Sequence, residues 1–107
     1  IDNIFLQSCN DKAISVGEKS ILTSEKITAK KSNYALVSKD SSEVFVNKLL
    51  SYQNKYCLAA YKKKQEFDGG FIRVNSMECK EFYSQSEIDP FSKIILNNKE
   101  VNLPLNN

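Results

Sequence analysis

Hydrophobic and polar residues alternate along the first third of the chain. Four short segments rich in β-branched residues, KAISV, SILTS, KITAK and YALVS, lie between residues 12 and 38 and are separated by polar breaks. In the first of these segments, Ile14 and Val16 flank Ser15. A period of two indicates strands with one buried face and one solvated face. We therefore predict an antiparallel meander of short strands over residues 12–38.

After Asp40 the apolar residues recur at intervals of three and four. They form two adjacent lines, Phe45, Leu49, Tyr52, Tyr56 and Ala60 in one and Val46, Leu50, Cys57 and Tyr61 in the other. This spacing is typical of an amphipathic helix. Asp40 is placed to cap its start, and the pair Gly69–Gly70 is placed to end it in the left-handed conformation. The pattern predicts one long helix over about residues 41–66.

The last third of the chain predicts strands and a hairpin. The segment FIRVN has the composition of a strand, and Asn97–Asn98 predicts a two-residue turn between SKIIL and KEVNL. The 107 residues fit a single domain, and we find no internal repeat. The predicted architecture is α+β: a small antiparallel sheet, made of the N-terminal meander and strands over about residues 71–103, packed against one long helix.

Charge and hydropathy indicate which classes of binding partner are unfavourable. The net charge is only +2, and Arg73 is the single arginine among 15 basic residues. Bulk electrostatics of this size would recruit neither nucleic acid nor an anionic membrane strongly. No stretch approaches the roughly 20 apolar residues needed to span a bilayer. We expect a protein partner, no nucleic acid and no membrane span.

The usual catalytic and cofactor-binding groups are missing from the sequence. The chain has no histidine, which excludes Ser-His-Asp and Cys-His catalysis and most zinc enzymes. It has no glycine-rich phosphate loop and no paired Cys-x-x-Cys motif. Pairs of nearby carboxylates are the remaining enzymatic route, and solvated surface acids are the simpler explanation. We therefore expect no enzyme activity, no cofactor and no metal.

Three cysteines bear on the compartment. Cys57 and Cys79 are the favoured disulfide pair, with Cys9 as an alternative partner, and three reduced cysteines in a cytosolic protein remain the competing interpretation. A chain that begins with Ile1 also favours a mature form from which a signal peptide has been removed. We expect a periplasmic or extracellular protein, with a cytosolic one as the alternative.

These observations favour a bacterial, exported, non-catalytic protein-binding module, such as an immunity protein, an enzyme inhibitor or an envelope-assembly component. Exposed aromatic residues and arginine dominate binding interfaces. The candidate contacts are Tyr34, Phe71, Arg73, Phe82 and Tyr83. The alternative is a small cytosolic accessory protein that oligomerises through its long helix, and the sequence leaves association into a homo-oligomer open.

Overall fold

Strands are the only regular secondary structure among the described residues of the chain. A computed structural model describes residues 3–7 and 11–101. The strands are β1 (Asn3–Gln7), β2 (Lys12–Val16), β3 (Ile21–Lys30), β4 (Tyr34–Lys39), β5 (Glu43–Tyr52), β6 (Tyr56–Tyr61), β7 (Phe71–Lys80), β8 (Ser84–Ile88), β9 (Lys93–Leu96) and β10 (Lys99–Glu100).

Successive strands alternate between two sheets. One sheet has six strands in the order β1-β3-β5-β7-β9-β10, and the other has four in the order β2-β4-β6-β8. Every neighbouring pair is parallel except β9 and β10, which form an antiparallel hairpin. Because the chain returns to each sheet one position further along, the fold is a two-sheet parallel β-solenoid.

Equivalent residues of successive coils are stacked at a regular interval. The register pairs Ile21–Glu43 and Tyr34–Tyr56 share one sequence separation, which is also the separation of 22 between Glu25 and its hydrogen-bond partner Asn47. The next coil is longer, because the corresponding separation between Asn47 and Asn75 is 28. The six extra residues lie between β6 and β7, in the connection of residues 62–70. We call this connection the insertion loop.

The core is made of rows of apolar side chains that continue from coil to coil. The largest rows in the six-stranded sheet are Leu22–Val44–Ile72–Ile94 and Ile4–Ile27–Leu49–Met77; Ile14–Leu36–Leu58 faces them from the other sheet. The central members of each row are fully buried. Each such aliphatic side chain stabilises the fold by roughly 1.5–3 kcal/mol relative to an exposed one.

The long helix predicted over residues 41–66 is wrong, and the region is instead formed by β5 and β6. Within β5, Val44 and Val46 face the core, two exposed residues follow at Asn47 and Lys48, and Leu49 is buried again. The two consecutive outward residues shift the phase of the alternation, so the buried positions acquire a spacing of three. That spacing imitates a helix.

The α+β architecture with its antiparallel sheet is also wrong. The segments of the predicted meander do form strands, but SILTS from Ile21 onward and all of KITAK fall within the single strand β3, and β2 and β4 pair in parallel. The regular stacking of the coils further shows a structural repeat that we did not find in the sequence. Few identical residues recur along the rows, and the six extra residues break the period.

Two turns test the local predictions in the last third of the chain. The hairpin at Asn97–Asn98 is confirmed: both residues have positive φ, 53° and 65°, and Lys99 pairs with Leu96. The predicted role of Gly69 and Gly70 is wrong, since neither has a positive φ. Instead, there is no room for a side chain: a Cβ on Gly70 would lie 2.0 Å from the carbonyl oxygen of Ser38.

Candidate binding surface

The disulfide between Cys57 and Cys79 joins the two sheets. Their Cα atoms are 6.3 Å apart, with Cys57 on β6 and Cys79 on β7. The bonded segment contains the insertion loop, so the bond clips the longest coil of the solenoid. The alternative partner Cys9 lies outside the described residues. Structural disulfides are typical of proteins in oxidising compartments outside the cytosol.

A buried asparagine organises the corner that connects the six-stranded sheet to the four-stranded sheet. The side chain of Asn54 accepts a hydrogen bond from the backbone N–H of Ser32 at 2.7 Å. Its amide nitrogen donates to the carbonyl of Ala29 at 2.8 Å and to the hydroxyl of Ser51 at 2.7 Å. We call residues 31–33, 53–55 and 81–83 the Asn54 corner. Because Asn54 ties adjacent coils together, the surface beside it is rigidly supported.

A buried carboxylate holds the insertion loop at the opposite corner. Asp40 is 1% exposed, and one oxygen accepts backbone N–H bonds from Lys63 at 2.7 Å and Lys64 at 3.0 Å. Burial raises the pKa of this carboxyl, but the two N–H groups and nearby lysine charges outweigh burial and the pKa lies below its ordinary value. Lys64 also pairs with Glu18. Asp40, which we predicted to cap a helix, therefore binds the backbone of the insertion loop instead.

Three tyrosines form a continuous aromatic group beside the Asn54 corner. The rings of Tyr34 and Tyr56 are stacked with centroids 4.9 Å apart, and Tyr83 meets Tyr56 edge to face at 6.1 Å. The ammonium of Lys55 lies 5.9 Å from the centre of the Tyr83 ring. We call these four residues with Phe82 the tyrosine surface. It arises because Tyr34 and Tyr56 occupy equivalent positions in successive coils.

The tyrosines differ in how they could interact with a partner. Tyr83 is 77% exposed and Phe82 43% exposed, whereas Tyr34 is partly buried. The hydroxyl of Tyr34 donates to Glu87 at 3.1 Å. Burial, followed by this hydrogen bond to the carboxylate, raises the pKa of Tyr34 to about 12. Tyr34 therefore supports the surface, while Tyr83 and Phe82 are the residues that a partner can reach.

Apart from the tyrosine surface, a polar groove lies on the outer face of the six-stranded sheet. This groove has a volume of about 580 Å³ and includes Phe45 and Arg73 in its lining. Along it Asn75 donates to Asn47 at 3.0 Å, and Asn47 donates to Glu25 at 2.6 Å. These side-chain hydrogen bonds span three coils and pair Glu25, Asn47 and Asn75 with one another.

The five predicted contact residues are divided between these surfaces. Tyr34, Phe82 and Tyr83 belong to the tyrosine surface. Arg73 lines the polar groove, and Phe71 packs against Phe45 with centroids 5.7 Å apart. Because the first group borders the four-stranded sheet and the second lies on the six-stranded sheet, they do not form one patch.

Sequence reasoning missed Tyr56 and Asn54, which had been assigned to the predicted helix. The signal that could have found Tyr56 is its position one full coil after Tyr34, together with the stacked apolar residues on either side. Asn54 had no comparable signal, since its equivalent one coil earlier is Ser32. A polar residue at a turn becomes informative only when its burial is known.

Comparison with known proteins finds no matching family model, no matching curated protein and no matching solved structure. Among the described residues, no group of three or more histidine, cysteine or acidic residues could hold a metal ion. The same part of the chain contains no helix long and apolar enough to cross a membrane.

Proposed function

We propose that this protein is an exported, non-catalytic module that binds another protein through the tyrosine surface. The observation that carries the proposal is the placement of Tyr83, which is held by Tyr56 and Lys55 and is still 77% exposed. A ring that is fixed before binding loses little conformational entropy in a complex. Exposed aromatic residues on a rigid support are the usual centres of binding interfaces.

The neighbouring residues support the same proposal. Phe82 adds a second exposed ring directly beside Tyr83. The two residues follow Glu81, whose φ is 57°, in the same conformation that Lys31 and Gln53 adopt in the earlier coils. The stacked coils therefore support the backbone of the segment that presents both rings, and we expect little backbone change on binding.

The disulfide supports the proposed location outside the cytosol, in the periplasm or the extracellular space. Within the class of binding modules, an immunity protein, an enzyme inhibitor and an envelope-assembly component all fit a small rigid domain of this kind. The alternative of a cytosolic protein that oligomerises through a long helix loses its basis, because β5 and β6 replace that helix.

Site-specific photocrosslinking in the producing cells tests this proposal. The photoreactive residue p-benzoyl-phenylalanine is introduced in place of Tyr83 and, as a matched control, in place of Phe91. Phe91 is 62% exposed and lies between β8 and β9, away from the tyrosine surface. We expect one discrete crosslinked protein from position 83 that is absent from position 91.

Competition sharpens the result. Excess unlabelled protein should abolish the crosslink, whereas excess Tyr83→Ser protein should compete at least tenfold less well, since an interface hot spot contributes about 2 kcal/mol or more. Identical products from positions 83 and 91, or no product from position 83, would overturn the proposal.

A further inference from the structure

The outer face of the six-stranded sheet has an excess of positive charge on the side of the Asn54 corner. Five lysines lie there with two glutamates: Lys26, Lys30, Lys31, Lys48 and Lys80 with Glu78 and Glu81. We call these residues the basic face. The whole chain has a net charge of only +2. Five lysines and two glutamates give the basic face a formal charge of +3, and the exposed Glu25 lies directly before Lys26, so the fold gathers a modest positive charge on this face.

Two of these lysines are placed directly opposite each other. Lys26 of β3 and Lys48 of β5 are register partners, and both side chains are exposed. Like charges opposite each other in a sheet are destabilising. Within the described residues neither lysine has a carboxylate at ion-pair distance, whereas Lys80 is paired with Glu78 at 2.9 Å. Together with the hydrogen bond from Lys80, the charge of Lys48 lowers the pKa of Glu78, so Glu78 balances part of this positive charge and the remainder is open to an acidic ligand.

A small pocket at the edge of the basic face brings three lysines together with one carboxylate, that of Glu81. The ammonium of Lys30 lies 5.8 Å from the ring centre of Phe5 and 5.5 Å from that of Tyr52, so two aromatic rings hold it in place. The adjoining pocket of about 280 Å³, which we call the Lys30 pocket, is lined by Gln7, Lys30, Lys31, Tyr52, Gln53, Lys80 and Glu81. Ammonium groups and side-chain amides are thus available together in one concavity.

We infer that the basic face binds an acidic polysaccharide, with one carboxylate or sulfate group seated in the Lys30 pocket. Lys30 and Lys80 lie on strands that flank β5, which places their backbones about 10 Å apart. Lys26 is four residues from Lys30 along the same strand, about 13 Å away. Charges distributed at such intervals suit a chain of repeated acidic groups better than a single small anion.

The other properties of the face favour a sugar chain over a membrane or a nucleic acid. The amides of Gln7 and Gln53 can hydrogen-bond to hydroxyl groups, and Phe5 is 60% exposed beside them. A concave pocket with amides is of no use against a flat lipid surface. The disulfide is typical of secreted and cell-surface proteins, which are kept apart from the nucleic acids of the cytosol. This inference does not depend on the tyrosine surface.

Binding to defined polymers tests the inference. The full chain is titrated with heparin, with polygalacturonate and with neutral dextran at low salt, and vesicles of phosphatidylcholine and phosphatidylglycerol are measured in parallel. We expect binding to both acidic polysaccharides that weakens as salt is raised, and none to dextran. The Tyr83→Ser protein should bind as tightly as the unchanged protein.

Three double variants distinguish the contribution of the basic face to polysaccharide affinity from that of the net charge of the protein. Lys26→Gln with Lys48→Gln, and Lys30→Gln with Lys80→Gln, should each weaken polysaccharide binding about tenfold. Lys63→Gln with Lys99→Gln removes the same charge from exposed residues elsewhere and should leave the affinity within about twofold. The first variant should also melt no lower than the unchanged protein, because it relieves a like-charge pair.

The contrary outcomes are equally distinct. Failure to bind either acidic polysaccharide overturns the inference, as does binding to anionic vesicles alone. An equal loss of affinity in all three double variants shows that net charge, and not the basic face, is responsible, and this too overturns it.

Discussion

Cys57 of β6 and Cys79 of β7 are bonded across the two sheets, with Cα atoms 6.3 Å apart. The segment between them contains the insertion loop, the only connection between described strands that departs from the short corners of the other coils. The six extra residues lengthen the part of the chain that must be ordered when this coil forms. The disulfide shortens the free length of the same segment in the unfolded state and so offsets that disadvantage.

Thiol counting should show this bond in the native protein. We expect intact-mass measurement after alkylation in denaturant to find one free thiol without reductant and three with it. Replacing both Cys57 and Cys79 by alanine should lower the free energy of unfolding by about 3 kcal/mol, as the chain-entropy model gives for a loop of this size. Three free thiols in freshly isolated protein would contradict both the bond and the proposed export.

Among the polar side chains of the Asn54 corner, that of Asn54 should contribute most to the free energy of unfolding. Asn54→Ala leaves the Ser32 N–H and the Ala29 carbonyl without their buried partner, so we expect a loss of about 2–3 kcal/mol in urea denaturation. Asn47→Ala is the matched control, because Asn47 is exposed and its hydrogen bonds are accessible to water. Its effect should stay within about 0.5 kcal/mol.

Asp40 should make the stability depend on pH under acidic conditions. Its pKa is lower in the folded protein than in the unfolded chain, so its stabilising contribution is fully present above the unfolded value of about 3.9. The contribution is lost as the pH falls through the folded pKa. We expect melting temperatures to fall more steeply below about pH 4 in the unchanged protein than in Asp40→Asn.

Asparagine is chosen to replace Asp40 because Asp40 has a backbone φ of 53°, a conformation that asparagine tolerates. Removing the charge while keeping the shape should cost about 1.5–3 kcal/mol at pH 7, the usual range for hydrogen bonds to a charged group. Parallel pH profiles for the two proteins would show that the Asp40 carboxylate does not provide this contribution.

Gly70 should tolerate no side chain, whereas Gly17 should. A Cβ at Gly70 would lie 2.0 Å from the Ser38 carbonyl oxygen, and we expect Gly70→Ala to destabilise the fold by about 2–4 kcal/mol. A Cβ at Gly17 would meet only the flexible side chain of Lys39, at 3.2 Å, so Gly17→Ala should be close to neutral. Chemical denaturation of both variants checks this contrast. Equal stabilities would show that the backbone contact at Gly70 relaxes freely.

Local structure could be predicted where a few neighbouring residues decide it. The strand segments near Ile14 and Ile27 follow from alternation and β-branching, and the Asn97–Asn98 hairpin follows from the tolerance of asparagine for positive φ. The favoured disulfide partners were also identified, although the argument placed Cys57 on a helix. Each of these inferences needs only short-range geometry or residue type.

The parallel pairing, and with it the placement of the candidate surfaces, was decided by contacts between distant residues. The buried positions Val46 and Leu49 have the spacing of a helix because β5 changes phase at Asn47 and Lys48, and only the neighbouring strands show that this is a phase shift. A register between successive coils likewise has little local signature, because few identical residues, such as Tyr34 and Tyr56, recur one coil apart.

The sequence by itself determined the strand-forming segments, the hairpin, the lack of histidine-dependent chemistry and the cysteines available for pairing. For histidine, the sequence determines only that the residue is absent from this chain, and all of these are properties of residue type and short spacing. Tertiary structure alone decided that Tyr34 and Tyr56 stack and that Lys26 lies opposite Lys48. Both relationships join residues that are one full coil apart, and the hydrogen-bond register that brings them together is set by the packing of whole coils.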